Sequence, residues 1–195
     1  MSKAVFLDRD GVINRKPPKG RYVTRWEEMH LLPGVGDVIG LLNRAGFRVI
    51  VVSNQRCVAK GLVTVRELES LHQRMCQHLA AAGATIDGVY YCPHETRPAC
   101  NCRKPAPGML LAAALKHRLD LPESWIIGDS EIDVEAGRSA GCKTARLLES
   151  SGAVDGKADV VALSLPEAIH QILLLEKHFE VVAVRNVNNH SEVVP

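Results

Sequence analysis

Apolar runs and helix-spaced apolar positions alternate along this chain, and the alternation predicts an α/β fold. The predicted strands are 4–8, 47–53, 89–92, 125–128, 143–147 and 159–162, and the predicted helices are 35–45, 65–82, 107–118, 134–140 and 166–176. Thr64 and Glu67 form a capping box at the start of the second helix. Apolar strands that alternate with helices indicate a three-layer, doubly wound, mostly parallel sheet with helices on both faces.

The end of the chain is less regular than the rest. Its polar run predicts a frayed tail over 177–195, and the apolar run 179–184 predicts an added edge strand as the alternative. Residues 1–176 are therefore expected to form a single domain, and at this length they can bury a substantial core. Two irregular stretches, 14–32 and 93–107, follow strands and should lie over the carboxyl edge of the sheet.

Composition narrows the function classes. The chain is 46% hydrophobic and 24% charged, and its net charge of +2 gives no argument for nucleic acid or an anionic membrane. Two Trp, three Tyr and three Phe are too few for a base-stacking platform. With no membrane-length apolar run and no signal-peptide pattern, we expect a cytoplasmic protein. We also expect a monomer whose partner is a small molecule. Its six cysteines are then expected to be thiols or metal ligands rather than disulfides.

Polar residues with compatible chemistry follow four of the predicted strands. They are Asp8 and Asp10 after the first strand, Ser53, Asn54 and Gln55 after the second, Arg103 and Lys104 beyond the third, and Asp129, Glu131 and Asp133 after the fourth. Each group has an ordinary explanation of its own, such as an Asp-Gly turn, a solvated lysine or a helix cap. Because the carboxyl ends of parallel strands meet at one edge of a sheet, their joint occurrence indicates a binding or catalytic site.

The chemistry that these residue types support together is phosphoryl transfer. Catalysis of this reaction depends largely on positioning the phosphoryl group and neutralising the charge on its oxygens. Magnesium prefers oxygen ligands, while a lysine, a hydroxyl and amide groups can bind the phosphoryl oxygens. A carboxylate nucleophile can form an aspartyl-phosphate, which water then hydrolyses.

In order along the chain, these segments resemble the motifs of the haloacid dehalogenase superfamily of phosphatases. The matching residues are Asp8-Arg9-Asp10-Gly11, Ser53-Asn54, Lys104-Pro105, and Gly128-Asp129 with Asp133. The resemblance implies Asp8 as nucleophile, Asp10 as general acid/base, and phosphate contacts from Ser53, Asn54 and Lys104. It also implies Mg²⁺ on Asp8, the main-chain carbonyl of Asp10 and Asp129, with Asp133 as a weaker candidate for a supporting role.

Four potential metal ligands occur in two short groups, which begin at the end of the third predicted strand and stop before Lys104. Their members are Cys92, His94, Cys100 and Cys102. Three thiols and an imidazole match a tetrahedral structural zinc site, and the plain alternative is a set of unrelated surface thiols. The loop 92–102 has no apolar run to hold it, so zinc would fix the approach of the phosphate-binding Lys104. Cys57, beside the predicted site, is expected to be exposed.

This zinc loop, together with the lack of room for a cap domain, narrows the resemblance to the histidinol-phosphatase-like branch. Two families compete there, the D-glycero-D-manno-heptose 1,7-bisphosphate 7-phosphatases and the histidinol-phosphate phosphatases. The segment 53–61 favours the heptose enzymes through Lys60 and Gly61, although Arg56-Cys57 replaces their usual small pair and the short zinc loop is closer to the other family. The leading prediction is hydrolysis of the C7 phosphate in heptose precursor synthesis. A non-catalytic zinc or partner-binding module is the remote alternative.

Without a cap, specificity should come from the loops over the site. A bisphosphate leaves one phosphate remote from the chemistry, and that phosphate needs a cation of its own. The predicted substrate contacts are Arg15, Lys19, Tyr22, Gln55, Arg56 and Arg103, with Lys16, Arg21 and Lys60 as further cations. The alternative for each is a solvated basic rim. Histidinol phosphate would instead require an acidic residue such as Glu27 or Glu28 near its amine.

Overall fold

The protein is described by a computed structural model that covers residues 1–149 and 157–188. Within these ranges six strands form one parallel sheet in the order β3-β2-β1-β4-β5-β6. They are β1 Ala4–Leu7, β2 Arg48–Asn54, β3 Gly88–Cys92, β4 Trp125–Gly128, β5 Lys143–Leu147 and β6 Val160–Ala162. The predicted doubly wound parallel sheet is confirmed.

Five α-helices connect or follow these strands in the described ranges. They are α1 Val35–Arg44, α2 Val65–Ala81, α3 Gly108–His117, α4 Glu131–Ala140 and α5 Leu165–Asn188, and a short 3₁₀ helix spans Trp26–Glu28. The predicted capping box opens α2, because the Thr64 N–H donates to the Glu67 carboxylate at 2.8 Å and the Glu67 N–H donates to Thr64 Oγ1 at 3.2 Å. None of these helices combines the length and apolar character that a membrane crossing requires.

The central strand β1 supplies side chains to two separate cores. Its residues are fully buried, and strand side chains alternate between the two faces of a sheet. Val5 and Leu7 belong to the core formed with α1, α2 and α5, whereas Ala4 and Phe6 belong to the core formed with α3 and α4. The helices therefore cover both faces, and the carboxyl edge of the sheet is left for the loops.

Two helices differ from the sequence prediction. Helix α4 begins at Glu131 rather than at 134, because Ser130 and Asp133 form a capping box around its polar first turn. Helix α5 runs to Asn188, beyond its predicted end at 176 and into the segment where a frayed tail or an added edge strand was expected. Residues 177–188 contain no Gly or Pro to stop a helix. The rest of the predicted tail, 189–195, lies outside the described residues.

The order of the strands creates a switch point between β1 and β4. From β1 the chain builds outward through β2 and β3, and then returns to the other side of β1 with β4. Asp8 follows β1 and Asp129 follows β4, so both acids lie at this point of the carboxyl edge. Ligands of open α/β sheets bind in such a crevice.

Candidate active site

Asp8 stands at the end of β1 with its side chain directed to a buried cation. Its main-chain N–H donates to the carbonyl of Ile127 at 3.0 Å, which continues the pairing of β1 with β4. Its carboxylate lies 2.9 Å from Lys104 Nζ. Burial raises the pKa of Asp8 to about 7, although the Lys104 charge lowers it, and the Asp133 charge adds to the rise. A bound cation at this carboxylate would favour its ionised form.

Lys104 is buried beneath the strand ends and contacts three oxygens. Its ammonium donates to the carbonyl of Val52 at 2.8 Å, to Asp8 at 2.9 Å and to Asp133 at 2.6 Å. Burial alone would lower the pKa of Lys104, but the two carboxylates outweigh it and raise that pKa. The ammonium therefore stays charged, and it lies where a phosphoryl group on Asp8 would need a counter-charge.

The side chain of Asn54 couples the end of β2 to Lys104. Its Nδ2 donates to the Lys104 carbonyl at 3.0 Å, and its Oδ1 accepts from the Lys104 N–H at 3.1 Å. This pair of bonds sets the position of the loop from which Lys104 rises. Ser53, the other predicted phosphate contact at this strand end, is 1% exposed and its Oγ accepts from Gln55 at 2.8 Å.

Three carboxylates converge at the switch point. Ligand oxygens of Asp8, Asp129 and Asp133 lie within 4.8 Å of one another. Gly11 makes room for this cluster, because a Cβ built there, at a φ of +93°, would lie 2.1 Å from a carboxylate oxygen of Asp129. Gly128 does the same for Asp133, whose carboxylate a Cβ would meet at 2.2 Å. An oxygen-rich cluster of this kind fits a hard divalent cation.

Lys16 places a positive charge against the same cluster. Its ammonium lies 2.6 Å from Asp129, although its side chain is 52% exposed. Burial raises the pKa of Asp129, and the hydrogen bond from Lys16 opposes that rise. An ammonium is thus held where the sequence predicts a metal ion, which supports the fit of a cation to these carboxylates.

The carboxylate of Asp10 is held apart from the acidic cluster by N–H donors. Arg9 donates to it from Nε at 3.2 Å and from Nη2 at 3.0 and 2.9 Å. Asn14 Nδ2 donates at 2.9 Å and Gln55 Nε2 at 3.1 Å. The predicted metal contact of Asp10 is its main-chain carbonyl. The bonds described above involve only its carboxylate, so they do not affect that prediction. Gln55, predicted as a substrate contact, is 1% exposed and bonds to Asp10 and Ser53 instead.

Some residues around Asp10 had no role in the sequence prediction. Arg9 is 0% exposed, Asn14 is 0% exposed and His72 is 4% exposed, and all three belong to the hydrogen-bonded surroundings of Asp10. The signal available for Arg9 was its place between the two aspartates, but a charged residue next to a turn is usually solvated. His72 carries no local signal, because its partner Arg9 is 63 residues away in sequence.

Some of the predicted substrate residues lie at a cavity of about 660 Å³, and the basic ones among the predicted contacts and further cations are called the basic rim. Arg15 and Tyr22 line the cavity, and Lys19 is exposed beside it. Arg56 donates to the Tyr22 hydroxyl from Nε at 3.1 Å and from Nη2 at 3.0 Å, which ties two of the loops together. Arg103 donates to the carbonyl of His94 at 3.3 Å, so it rests on the cysteine-rich loop.

The four predicted zinc ligands come together in the loop 92–102. The sulfur atoms of Cys92, Cys100 and Cys102 are 3.3 to 3.6 Å apart, and His94 Nδ1 lies 3.2 Å from Cys102 Sγ. Sulfur ligands of a tetrahedral zinc ion, each about 2.3 Å from the metal, lie roughly 3.8 Å apart. All three are free thiols, so the donor set fits a zinc ion. Cys57, in contrast, was expected to be exposed but is 0% exposed.

Comparison with known proteins identifies the class. A family model described as HAD-hydrolase-like matches residues 101–167. The crystal structure of D,D-heptose 1,7-bisphosphate phosphatase from B. bronchiseptica, complexed with magnesium and phosphate, gives a TM-score of 0.79 at 31% identity and covers 88% of this chain and 98% of that one. Fold and site together define a phosphatase of the haloacid dehalogenase-like class.

Curated relatives narrow the class to one family. The D-glycero-D-manno-heptose-1,7-bisphosphate 7-phosphatase of Thermosynechococcus vestitus is 38% identical over 87% of this chain and 94% of its own. The D-glycero-beta-D-manno-heptose-1,7-bisphosphate 7-phosphatase of Escherichia coli K12 is 36% identical over 85% of this chain and 93% of its own. The chain belongs to this family of heptose bisphosphate phosphatases.

Proposed function

We propose that this protein hydrolyses the C7 phosphate of D-glycero-D-manno-heptose 1,7-bisphosphate through an aspartyl-phosphate on Asp8. The observation that carries the proposal is the contact of Asp8 with the buried ammonium of Lys104 beside the carboxylates of Asp129 and Asp133. The names of the curated relatives support the heptose substrate over histidinol phosphate.

The reaction divides into two displacements at phosphorus. In the first, an oxygen of Asp8 forms a bond to phosphorus while the bond to the C7 oxygen breaks, and Asp10 gives that oxygen a proton. In the second, Asp10 takes a proton from water as the water oxygen attacks the same phosphorus, and the bond to Asp8 breaks to release phosphate. Lys104 neutralises charge on the phosphoryl oxygens in both steps, and Ser53 is the proposed hydroxyl donor to them.

Mg²⁺ fits the acidic cluster at the switch point. Asp8, Asp129 and the main-chain carbonyl of Asp10 would hold it, while Asp133 keeps Lys104 in place through their contact at 2.6 Å. When bound, the ion supplies Lewis-acid stabilisation of the phosphoryl oxygens. Lys16, which now contacts Asp129, would leave that carboxylate to make it available to the ion.

Zinc on Cys92, His94, Cys100 and Cys102 is proposed as a structural centre. All four side chains belong to the protein, which leaves no open position for chemistry on the metal. The loop continues directly into Arg103 and Lys104, so the metal sets where these two cations stand.

The basic rim is proposed to bind the remote C1 phosphate. Arg56 is directed by its two bonds to the Tyr22 hydroxyl, and Arg15, Lys19 and Arg103 are the further cations of the proposed site. The competing substrate, histidinol phosphate, would need an acid near its amine. Glu28 lines the cavity, but its carboxylate already accepts from the N–H and hydroxyl of Thr24.

Turnover of heptose 1,7-bisphosphate and of histidinol phosphate by the same preparation tests the assignment. We expect a clear preference for the heptose bisphosphate in kcat/KM. A higher kcat/KM for histidinol phosphate would contradict the proposed substrate and leave the reaction type standing. The monomeric state, the cytoplasmic location and the single domain over 1–176 stay predictions.

A further inference from the structure

The buried side chain of Arg9 binds the carboxylate of Asp10, the proposed general acid/base. Arg9 is 0% exposed, and its Nε and Nη2 atoms both donate to Asp10 at 2.9 to 3.2 Å. A planar guanidinium that donates side by side fixes the orientation of a carboxylate as well as its position. The orientation of Asp10 therefore depends on what holds Arg9.

His72 of helix α2 holds the other end of Arg9. Its Nε2 lies 3.1 Å from Arg9 Nη1, and the side chain is 4% exposed. Arginine is always protonated and can only donate, so Nε2 must accept and the ring proton must sit on Nδ1. That Nδ1 is buried without a hydrogen-bond partner in the described part of the chain. Burial and the Arg9 charge lower the pKa of His72 to about 3, which keeps the ring neutral and able to accept.

The unpartnered Nδ1 argues that His72 is not there for stability alone. A buried polar atom without a partner destabilises the folded state, and an apolar residue at this position would avoid that cost. The ring also packs against Tyr91, with the ring centroids 5.5 Å apart, so the site is already apolar on one side. What the imidazole provides here is a neutral acceptor aimed at Arg9.

We propose that His72 is a positioning residue for the proton-transfer step: it fixes Arg9, and Arg9 fixes Asp10. The inference rests on the proposed role of Asp10 as general acid/base. In this role His72 acts only through the orientation of Arg9, which it contacts directly. A general acid must reach the leaving oxygen at hydrogen-bond distance, so a small rotation of its carboxylate is enough to slow the transfer.

The test compares two substitutions with different hydrogen-bonding capacity. His72→Leu removes the acceptor, whereas His72→Gln retains an acceptor oxygen for Arg9. We expect His72→Leu to lower kcat for the heptose bisphosphate by about tenfold or more, with KM changed less than about twofold. His72→Gln should recover to within about threefold of the parent. Met75→Leu, a buried and volume-conserving change one turn along α2, serves as the control and should leave kcat unchanged.

A second substrate separates positioning from general damage. The leaving group of p-nitrophenyl phosphate is a stable anion that needs no proton, so formation of the aspartyl-phosphate does not require the acid. For His72→Leu we expect an undiminished initial release of p-nitrophenolate, close to one per active site, followed by slow steady turnover because water attack still needs Asp10 as a base. An equal loss in the initial and steady phases would mean that His72 only supports the fold.

Two further results distinguish failure of this inference from failure of the proposed function. Asp10→Asn should show the same pattern more strongly, and a normal Asp10→Asn enzyme would overturn the acid/base role itself. If Asp10→Asn is impaired but His72→Leu is not, only the positioning role fails. Nitrogen NMR of the His72 ring should show the neutral Nδ1–H tautomer down to about pH 5, and a ring protonated there would refute the Arg9 contact.

Discussion

Two groups of cations lie at the carboxyl edge of the sheet: the buried Lys104 and the exposed basic rim. They differ in the exposure of their side chains and in the distances from their charged atoms to the nearest carboxylate oxygens. The side chain of Lys104 is 1% exposed and its ammonium contacts Asp8, Asp133 and a carbonyl at 2.6 to 2.9 Å. On the rim, Lys60 is 39% exposed and 3.9 Å from Glu95, and Arg56 lies 3.6 Å from the same carboxylate.

Under the proposed function, this difference would separate the residues that carry out the reaction from those that select the substrate. Water and salt screen exposed pairs, so they contribute little to stability and rearrange readily, whereas a buried pair keeps one geometry. The buried group is therefore suited to a reaction that needs fixed positions.

The largest effect is expected from the nucleophile. Asp8→Asn should reduce turnover by about 10³-fold or more, because the amide cannot form the phosphoryl ester, while the circular dichroism spectrum and the melting temperature stay close to those of the parent. Steady-state kinetics on a preparation free of contaminating phosphatase measures it. Retained turnover would contradict the assignment of Asp8 as the nucleophile. It would also contradict a catalytic role for the buried group around Lys104.

Matched lysine substitutions in the two regions test the contrast directly. Lys104→Met leaves two buried carboxylates without their cation, and it should destabilise the fold by about 3–5 kcal/mol and lower kcat by about 10²-fold or more. Lys60→Met should change the free energy of unfolding by no more than about 0.5 kcal/mol. Urea denaturation and kinetics supply both values. Similar losses for the two variants would mean that burial does not distinguish the regions.

Removal of the proposed zinc tests whether the metal holds the loop 92–102 in its folded conformation. Elemental analysis should find about one zinc per chain, and Cys100→Ser should lose it, since one thiolate of four is gone. Cys76→Ser, which alters a thiol outside the cluster, should retain the metal. We expect the zinc-free protein to be cut by protease within 92–102. A parent protein without zinc would contradict the four-ligand site.

The smallest effect is expected on substrate preference. Arg56→Ala and Arg103→Ala should each raise KM for the bisphosphate by about tenfold, with a smaller rise for a monophosphate, because only the bisphosphate presents a remote anion. Arg44→Ala, at the far end of α1, is the control and should leave both KM values unchanged. Equal effects on the two substrates would contradict a role of these arginines in binding the remote phosphate.

The strand ends were predictable because their signals are local. A buried strand that leads into Asp8 and another that leads into Asp129 are visible in a few residues each, and parallel pairing brings their ends together. The signal for the metal-ligating loop is equally local, since the four predicted ligands span only 92–102. Local pattern was therefore enough for the sheet, for the position of Asp8 and Asp129 at its carboxyl edge and for the four predicted ligands of the loop 92–102.

Other features depended on contacts between distant segments. The burial of Arg9 requires Asp10 on one side and His72, 63 residues away, on the other. The burial of Cys57 was also missed, because its loop folds inward among residues from several elements. Helix α5 extends to Asn188 rather than ending at 176 as predicted, since no helix-breaking residue occurs between 176 and Asn188.

The sequence by itself determined the class of protein: alternating strands and helices, the acids at the strand ends, and the order of the motifs. Only the tertiary structure decided which charges are buried and what orients them. Burial is a property of the packed whole, because desolvation depends on neighbours from every element around a group. The pair Asp8 and Asp10 is written in the sequence, but its different surroundings, Lys104 for one and Arg9 for the other, arise only on folding.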